Sequence, residues 1–248
     1  SSKVLLVKLV KSKPTRAERA RHTRRRMLDT ARELFIIDGY AATTMERIAD
    51  RAGVAVQTLY YTFRTKGQLL CEAVEEAAAQ DAEIAPAGER AWLQEVLMAT
   101  TGQRVLALAV DYGADIFARA APLWPAMMAA SADPYVESYW RNVAASRRAG
   151  QGRMVARLAE LDELPHNLQP DRATDLVVVL FGHEVFGNLV TGAGWSLPEY
   201  KAWLYTTLVQ QLLRQPALSP EAFSDRAFSP VILAHSAQDA DEHEHTIG

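Results

Sequence analysis

Residues Thr43 to Phe63 read "TTMERIADRAGVAVQTLYYTF", two short apolar-periodic runs separated by a single Ala-Gly-Val. Two helices that cross steeply need a small residue where they touch and a glycine where the backbone turns. Ala49 and Gly53, four apart, supply them. Thr43 stands three residues before Glu46, the spacing of a capping box, which predicts a second helix from Thr44. Gly53 ends that helix and a third begins near Val56. Ile48, Val54 and Leu59 are then placed to bury between the two, leaving Val56, Gln57, Thr58 and Tyr61 on the outer side. The pattern is a helix-turn-helix, although the corner alone would serve any compact helical hairpin.

Working outward, the first helix runs from Arg16, with Met27, Leu28, Ala31, Leu34 and Phe35 on one apolar stripe, and closes at Asp38-Gly39. A fourth starts at Thr65, a good N-cap, and carries Leu69, Leu70, Ala73, Val74 and Ala77 towards Ile84, before Pro86 and Gly88 break it. Beyond lie helical segments at about 89–120 with a break near Gly102, 122–131, 133–163, 171–192 and 198–214, with no alternating strand pattern. The expected fold is all-α: a basic arm (1–15), a three-helix helix-turn-helix domain (16–66), a larger helical domain (67–214) and an acidic, largely unpacked tail (215–248). In the last helix Tyr200, Trp203, Leu204, Thr207, Leu208, Gln211 and Leu212 share a face. The preceding "DLVVVLFGHEVFGNLV" is apolar nearly all round and must be covered on more than one side. Packing one face on its own core and the other on a partner subunit, with Gly182 and Gly187 allowing close approach, would achieve this.

Composition bounds the function. A chain of 248 residues, 49% hydrophobic, can bury one core or two modest ones. Up to Lys66 there are 15 Lys and Arg against 6 Asp and Glu, a net of +9; the remainder holds 12 against 24, a net of -12. A compact basic segment suits a polyanion such as nucleic acid or an anionic membrane. No apolar run approaches the roughly 18 residues of a membrane span, since Gly182, His183 and Glu184 interrupt the longest one. "VLLVKLVK" lacks the length and cleavage site of a secretory signal. The lone Cys71 excludes an intramolecular disulfide and fits a reducing cytoplasm. Catalysis has no motif to stand on: no Gly-x-Ser-x-Gly elbow, phosphate-cradling loop or paired Cys is present, and the six histidines are scattered. His243 and His245 flank Glu244 without a fixed frame, so neither a metal nor another cofactor is expected.

The combination Phe35, Gly39-Tyr40, Thr43-Thr44, Ile48-Ala49, Ala52-Gly53-Val54, Thr58-Leu59-Tyr60, Phe63, Lys66 and Leu69 resembles the DNA-binding region of the TetR family of bacterial transcriptional regulators. It covers about a fifth of the chain. The resemblance implies a cytoplasmic, nucleoid-associated regulator, by default a repressor. It would bind a palindromic duplex operator as a homodimer, through a four-helix bundle of its last two helices, and be released by a small effector held inside each subunit. Ala55 stands where many relatives have a capping Ser, and Val56 and Gln57 replace commoner basic and small residues.

On that basis Gln57 is the first candidate for a base contact, with Thr58 and Val56 beside it. Thr44, Tyr60, Tyr61 and Lys66 are candidates for phosphates, Tyr60 reading equally well as core. Arg16, Arg19, Arg21, Arg24, Arg25 and Arg26 would form an arm adding phosphate or minor-groove contacts. The effector would lie among Trp92, Tyr112, Phe117, Trp124, Met127, Met128, Tyr139, Trp140 and Phe181, residues that otherwise serve as plain core, and their aromatic content suggests an apolar ligand. His183 could be its polar handle or a satisfied interface histidine. Asp111, Asp115 and Arg119 read as surface pairs. Val178, Phe186, Trp203, Leu204 and Leu208 are the expected dimer contacts. The rival reading is a peripheral membrane-surface or protein-interaction module using the basic segment.

Overall fold

The computed structural model describes residues 15–79 and 91–214. The arm before Thr15, the stretch with Pro86 and Gly88, and the tail with His243, Glu244 and His245 lie outside the described residues. Among those described, all regular structure is helical.

Helix α1 (Arg16–Ala42) begins on a capping box: the Thr15 hydroxyl accepts from the Glu18 N–H at 3.2 Å and the Glu18 carboxylate from the Thr15 N–H at 2.6 Å. Arg16 to Arg26 therefore lie on the helix expected from Arg16, so the arginines expected to reach phosphates or a minor groove are carried on helical backbone. Met27, Leu28, Ala31, Leu34 and Phe35 are all buried. At Gly39 the helix breaks, with φ 77° and ψ 173°.

The corner then differs by one residue from its expected form. Thr43 is fully buried and its hydroxyl is turned back onto the carbonyls of Gly39 (2.8 Å) and Leu34 (3.2 Å), so it cannot cap. Thr44 is the N-cap of α2 (Met45–Ala52), accepting from the Arg47 N–H at 3.2 Å. Gly53 takes the left-handed conformation (φ 64°, ψ 42°); its N–H donates to Asp50 O at 3.0 Å and that of Val54 to Ala49 O at 2.9 Å, so two of the last four carbonyls of α2 are met. Helix α3 (Val56–Phe63) starts at Ala55 with no side-chain cap and ends at Arg64, which has a positive φ of 54° with ψ -52°. Thr65 accepts from the Gln68 N–H at 3.0 Å at the head of α4 (Lys66–Ala79).

The rest comprises α5 (Ala91–Met98), α6 (Gly102–Ala120), a 3-10 turn (Ala121–Leu123), α7 (Trp124–Ala129), α8 (Pro134–Glu160), α9 (Pro170–Leu180), α10 (His183–Phe186), a π-helical stretch (Gly187–Gly192) and α11 (Leu197–Leu212). The break expected near Gly102 is real. The Arg157 guanidinium donates to Ala99 O, the Thr101 hydroxyl caps α6, and the Gly102 N–H donates to Glu163.

Two apolar cores result. One joins α1–α4 to Leu123, Ala126, Met127 and Val136; the other joins α5, α6, the second half of α8, and α9–α11; Trp124 touches both. The segment expected at 171–192 is interrupted at Phe181–Gly182, where Gly182 is extended (φ -94°, ψ 153°). Taken whole, Pro170–Gly192 is long and apolar enough to cross a membrane, a correction to the expected absence of any such run. Its break, and the burial of Ala173, Val177, Phe181 and Phe186, tie it into the second core instead.

The dimer contacts also need correction. Phe186, Leu204 and Leu208 are 1%, 0% and 0% exposed within one subunit, so no partner can reach them. The reason is the stripe Tyr200, Leu204, Leu208 and Leu212, which α11 turns inward, largely onto α6. Val178 and Trp203 remain partly exposed, and Val179, not anticipated, is 66% exposed.

Candidate nucleic-acid interface and effector core

Helix α3 is held from behind by Leu59 and Phe63, both fully buried. Its outer side presents Gln57, Thr58 and Tyr61, the last 90% exposed, with Val56 half-buried against the first core. Among the described residues the Gln57 amide and the Thr58 and Tyr61 hydroxyls make no hydrogen bond in the chain, whereas the Thr58 carbonyl accepts from Thr62. Tyr60 is 44% exposed and its hydroxyl reaches Glu46 at 3.4 Å, so it belongs to the surface and not the core. Thr44 is exposed at the start of α2, beside them in the motif.

The basic residues are less free than their number suggests. Arg47 pairs with Asp38 (3.0 Å), Arg51 with Glu33 (3.1 Å) and Arg24 with Glu72, Arg24 also lying 5.2 Å from the Phe63 ring. Arg25 is engaged within the chain as well. Lys66, expected at phosphate, instead directs its ammonium onto the carbonyls of Tyr40 (2.7 Å) and Thr43 (3.0 Å), 4.0 Å from the Tyr40 ring. Burial lowers its pKa, against the pull of Asp133. The lysine thus clamps the end of α1 to the start of α4.

Asp133 completes that junction. One of its oxygens caps α8, accepting from the Tyr135 (2.9 Å) and Val136 (3.4 Å) N–H groups; the other accepts from the Tyr40 hydroxyl at 3.0 Å. The carboxylate lies over Gly67, where a Cβ would stand 2.6 Å from both oxygens. Beneath it, burial first and the nearby carboxylates second push the Cys71 thiol up to about 12. The sequence shows Asp133-Pro134 as an N-cap pattern but not its reach to Tyr40.

In the second core, four of the expected effector residues come together: Phe117, Trp124, Phe181 and His183. Phe117 meets Trp124, Phe181 and Phe186 edge-on at 5.6–5.7 Å, and Trp140 stacks on His183 at 4.9 Å. Tyr139 lies beside Trp140, 6.4 Å between rings. Trp92 and Tyr112 form a separate pair at 5.9 Å, with the Tyr112 hydroxyl on Glu95. Met128 is 61% exposed and takes no part, while Met127 is buried in the first core. Asp111 and Asp115 pair with Lys201 rather than with Arg119, which donates to Ala78 O. Two polar residues, Arg147 and Gln151, escaped the sequence reading, and Tyr200 was read only as part of the apolar face of α11. Arg147 and Gln151 follow Trp140 and precede Val155 and Leu158 at helical spacing on α8, a placement that does not by itself show their enclosure. A separate surface crevice of about 230 Å³ lies between α1, α4 and α8, walled by Arg24, Leu28, Glu72, Glu75, Glu76 and Tyr135.

An exposed short helix on a basic three-helix head, joined to a helical body, is a helix-turn-helix architecture. Residues 27–73 match the family described as bacterial regulatory proteins, tetR family. It is 35% identical over 77 residues to the HTH-type transcriptional regulator TcmR of Streptomyces glaucescens, a match taking in 30% of this chain and 34% of that protein. The chain thus spans about a third of the length of that curated relative. Across the whole fold it resembles NalD, the secondary repressor of the MexAB-OprM multidrug efflux pump in Pseudomonas aeruginosa, at a TM-score of 0.64 and 16% identity, covering 80% of this chain and 99% of that one. It also resembles SmeT, the repressor of the Stenotrophomonas maltophilia multidrug efflux pump SmeDEF, solved with triclosan, at a TM-score of 0.60 and 18% identity, covering 78% and 93%.

Proposed function

We propose that the chain is a ligand-responsive repressor that binds a palindromic operator as a homodimer and is released by a small, mostly apolar effector. The observation that carries the reading is the outer side of α3: Gln57, Thr58 and Tyr61 stand unengaged in the chain while Leu59 and Phe63 fix the helix from behind. Residues 16–66 serve as the head, entering the major groove with α3, and 67–214 as the effector and dimerisation part. Gln57 reads a base edge; Thr44, Tyr60 and Tyr61 take phosphates. Lys66 supports the head from within. The partner subunit covers the residues that α9 and α11 leave outward, among them Val178, Val179 and Trp203. The aromatic core around Phe117 and Trp124 receives the effector, in keeping with the triclosan bound by SmeT. The protein acts on chromosomal DNA in the cytoplasm.

Selection of bound duplexes from a random pool tests this reading. The expected product is a two-fold symmetric site with half-sites about 34 Å apart. On that site Gln57→Ala should cost about 1–3 kcal/mol and relax the preference at one base pair per half-site. No enrichment of any duplex at physiological salt, or preferential binding to anionic vesicles, would refute it.

A further inference from the structure

The aromatic core encloses a polar centre contributed by three helices. From α8 come Arg147 and, one turn on, Gln151; from α10 comes His183; from α11 comes Tyr200. Tyr200 is 0% exposed, and its hydroxyl has no hydrogen-bond partner among the described residues. The buried Gln151 Oε1 is likewise unpartnered, while its Nε2 makes only a long contact of 3.5 Å to Phe181 O. The half-buried Arg147 guanidinium has one neighbour within hydrogen-bond range, His183 Nδ1 at 3.4 Å. That nitrogen also lies 3.1 Å from Glu184 Oε2 and can serve only one of the two. Only the Arg147 contact has hydrogen-bond geometry, so His183 occupies one guanidinium nitrogen and the remaining N–H donors have no acceptor among the described residues.

Buried polar groups are nearly always paired, and two unmatched ones, the Tyr200 hydroxyl and Gln151 Oε1, beside a guanidinium with spare N–H donors call for a common explanation. Together they offer donors from a planar guanidinium and one hydroxyl, with a single acceptor at Gln151. Two parallel N–H donors and one O–H match a carboxylate; a phosphate dianion would call for more positive charge. A cationic ligand would face the Arg147 charge. The neighbours are aromatic: Phe117 meets Trp124 and Phe181, and both Trp124 and Trp140 meet the His183 ring. Phe181 lies at the break before Gly182, and its ring tip rests on Gly113, where a Cβ would stand 2.2 Å away.

We propose that the effector is a planar aromatic hydroxy acid. Its carboxylate is received by Arg147 and the Tyr200 hydroxyl, its own hydroxyl donates to Gln151 Oε1, and its ring takes the place of the Phe181 ring beside Phe117 and Trp124. The inference rests on the effector reading above and adds the ligand's charge and class.

Quenching of tryptophan fluorescence in the full chain tests it, with 3-hydroxy-2-naphthoate, 2-naphthol and 2-naphthyltrimethylammonium as probes. The acid should bind at least tenfold more tightly than either of the others. Arg147→Met should weaken the acid at least tenfold and leave 2-naphthol unchanged. Tyr200→Phe should weaken the acid several-fold without lowering thermal stability, and it provides the test if Arg147→Met fails to fold. Failure of the acid to bind, naphthol binding as tightly as the acid, or an unaltered affinity in both variants overturns the inference. Should naphthol release DNA and the acid not, this inference falls and the repressor reading stands. Should the acid bind as expected while no duplex is selected from the random pool, the repressor reading falls and the ligand site stands.

Discussion

Replacing Gly67 by alanine sets helix propensity against geometry. In an ordinary helical position the exchange would stabilise by up to about 1 kcal/mol. At Gly67 the new Cβ would meet both Asp133 oxygens at 2.6 Å and its Cγ at 2.7 Å. The carboxylate is short and held at both ends, by the Tyr135 and Val136 amides and by the Tyr40 hydroxyl, so it cannot step aside and keep all three bonds. Losing the cap costs about 1 kcal/mol. Losing a hydrogen bond to a charged group costs about 1.5–3 kcal/mol. Against the propensity gain, the net is a destabilisation of about 1.5–3 kcal/mol, or a fall in Tm of roughly 3–12 °C for a chain of this size. Gly150 in α8 is the control, since a Cβ there meets nothing within 4 Å. Gly150→Ala should raise Tm by roughly 1–4 °C. Scanning calorimetry on both variants decides the matter: a Gly67→Ala protein as stable as the parent would show that Asp133 does not bind the two parts as described.

Ala55→Ser gives α3 the side-chain cap it lacks; chemical denaturation should show a gain of about 1 kcal/mol, and no gain would mean that the Ala55 conformation excludes the cap. Arg64→Gly relieves a positive φ of 54° and should stabilise by about 1 kcal/mol in the same measurement, with a loss showing that the arginine side chain outweighs the strain. Burial lowers the His183 pKa, more than Arg147 adds and against the opposing pull of Glu184. The unfolded imidazole therefore takes up a proton first, so this residue favours folding above about pH 6.5 and the contribution declines as pH falls through that value. His183→Phe should flatten the stability profile between pH 7 and 5 relative to the parent, and an unchanged slope would refute the assignment.

The head was legible because its determinants are local. The Ala49–Gly53 corner, the stripe from Met27 to Phe35 and the buried positions of α4 all follow from spacing within one or two turns. The error at Thr43 came from two adjacent threonines: either satisfies the local pattern, and only the carbonyls of Leu34 and Gly39 decide which one is turned inward. At α9–α11 the sequence said that an all-round apolar helix must be covered but not which face looks inward, so Phe186, Leu204 and Leu208 were assigned outward. Arg147 and Gln151 sit in an α8 that is mostly polar, and their enclosure depends on α10 and α11 closing over them from some 30 to 50 residues away. No window of one helix contains that information.

Helix α3 is eight residues long, without a side-chain cap at its start and with a strained residue at its end. So short a helix would not persist in water by itself. Its order is borrowed from the two side chains that pin it, Leu59 and Phe63, much as a key blank is rigid only while gripped in the vice. Amide exchange should then be faster along α3 than along α1 or α4. Affinity for a duplex can consequently be tuned by trimming the pins, with every groove-facing atom left as it is.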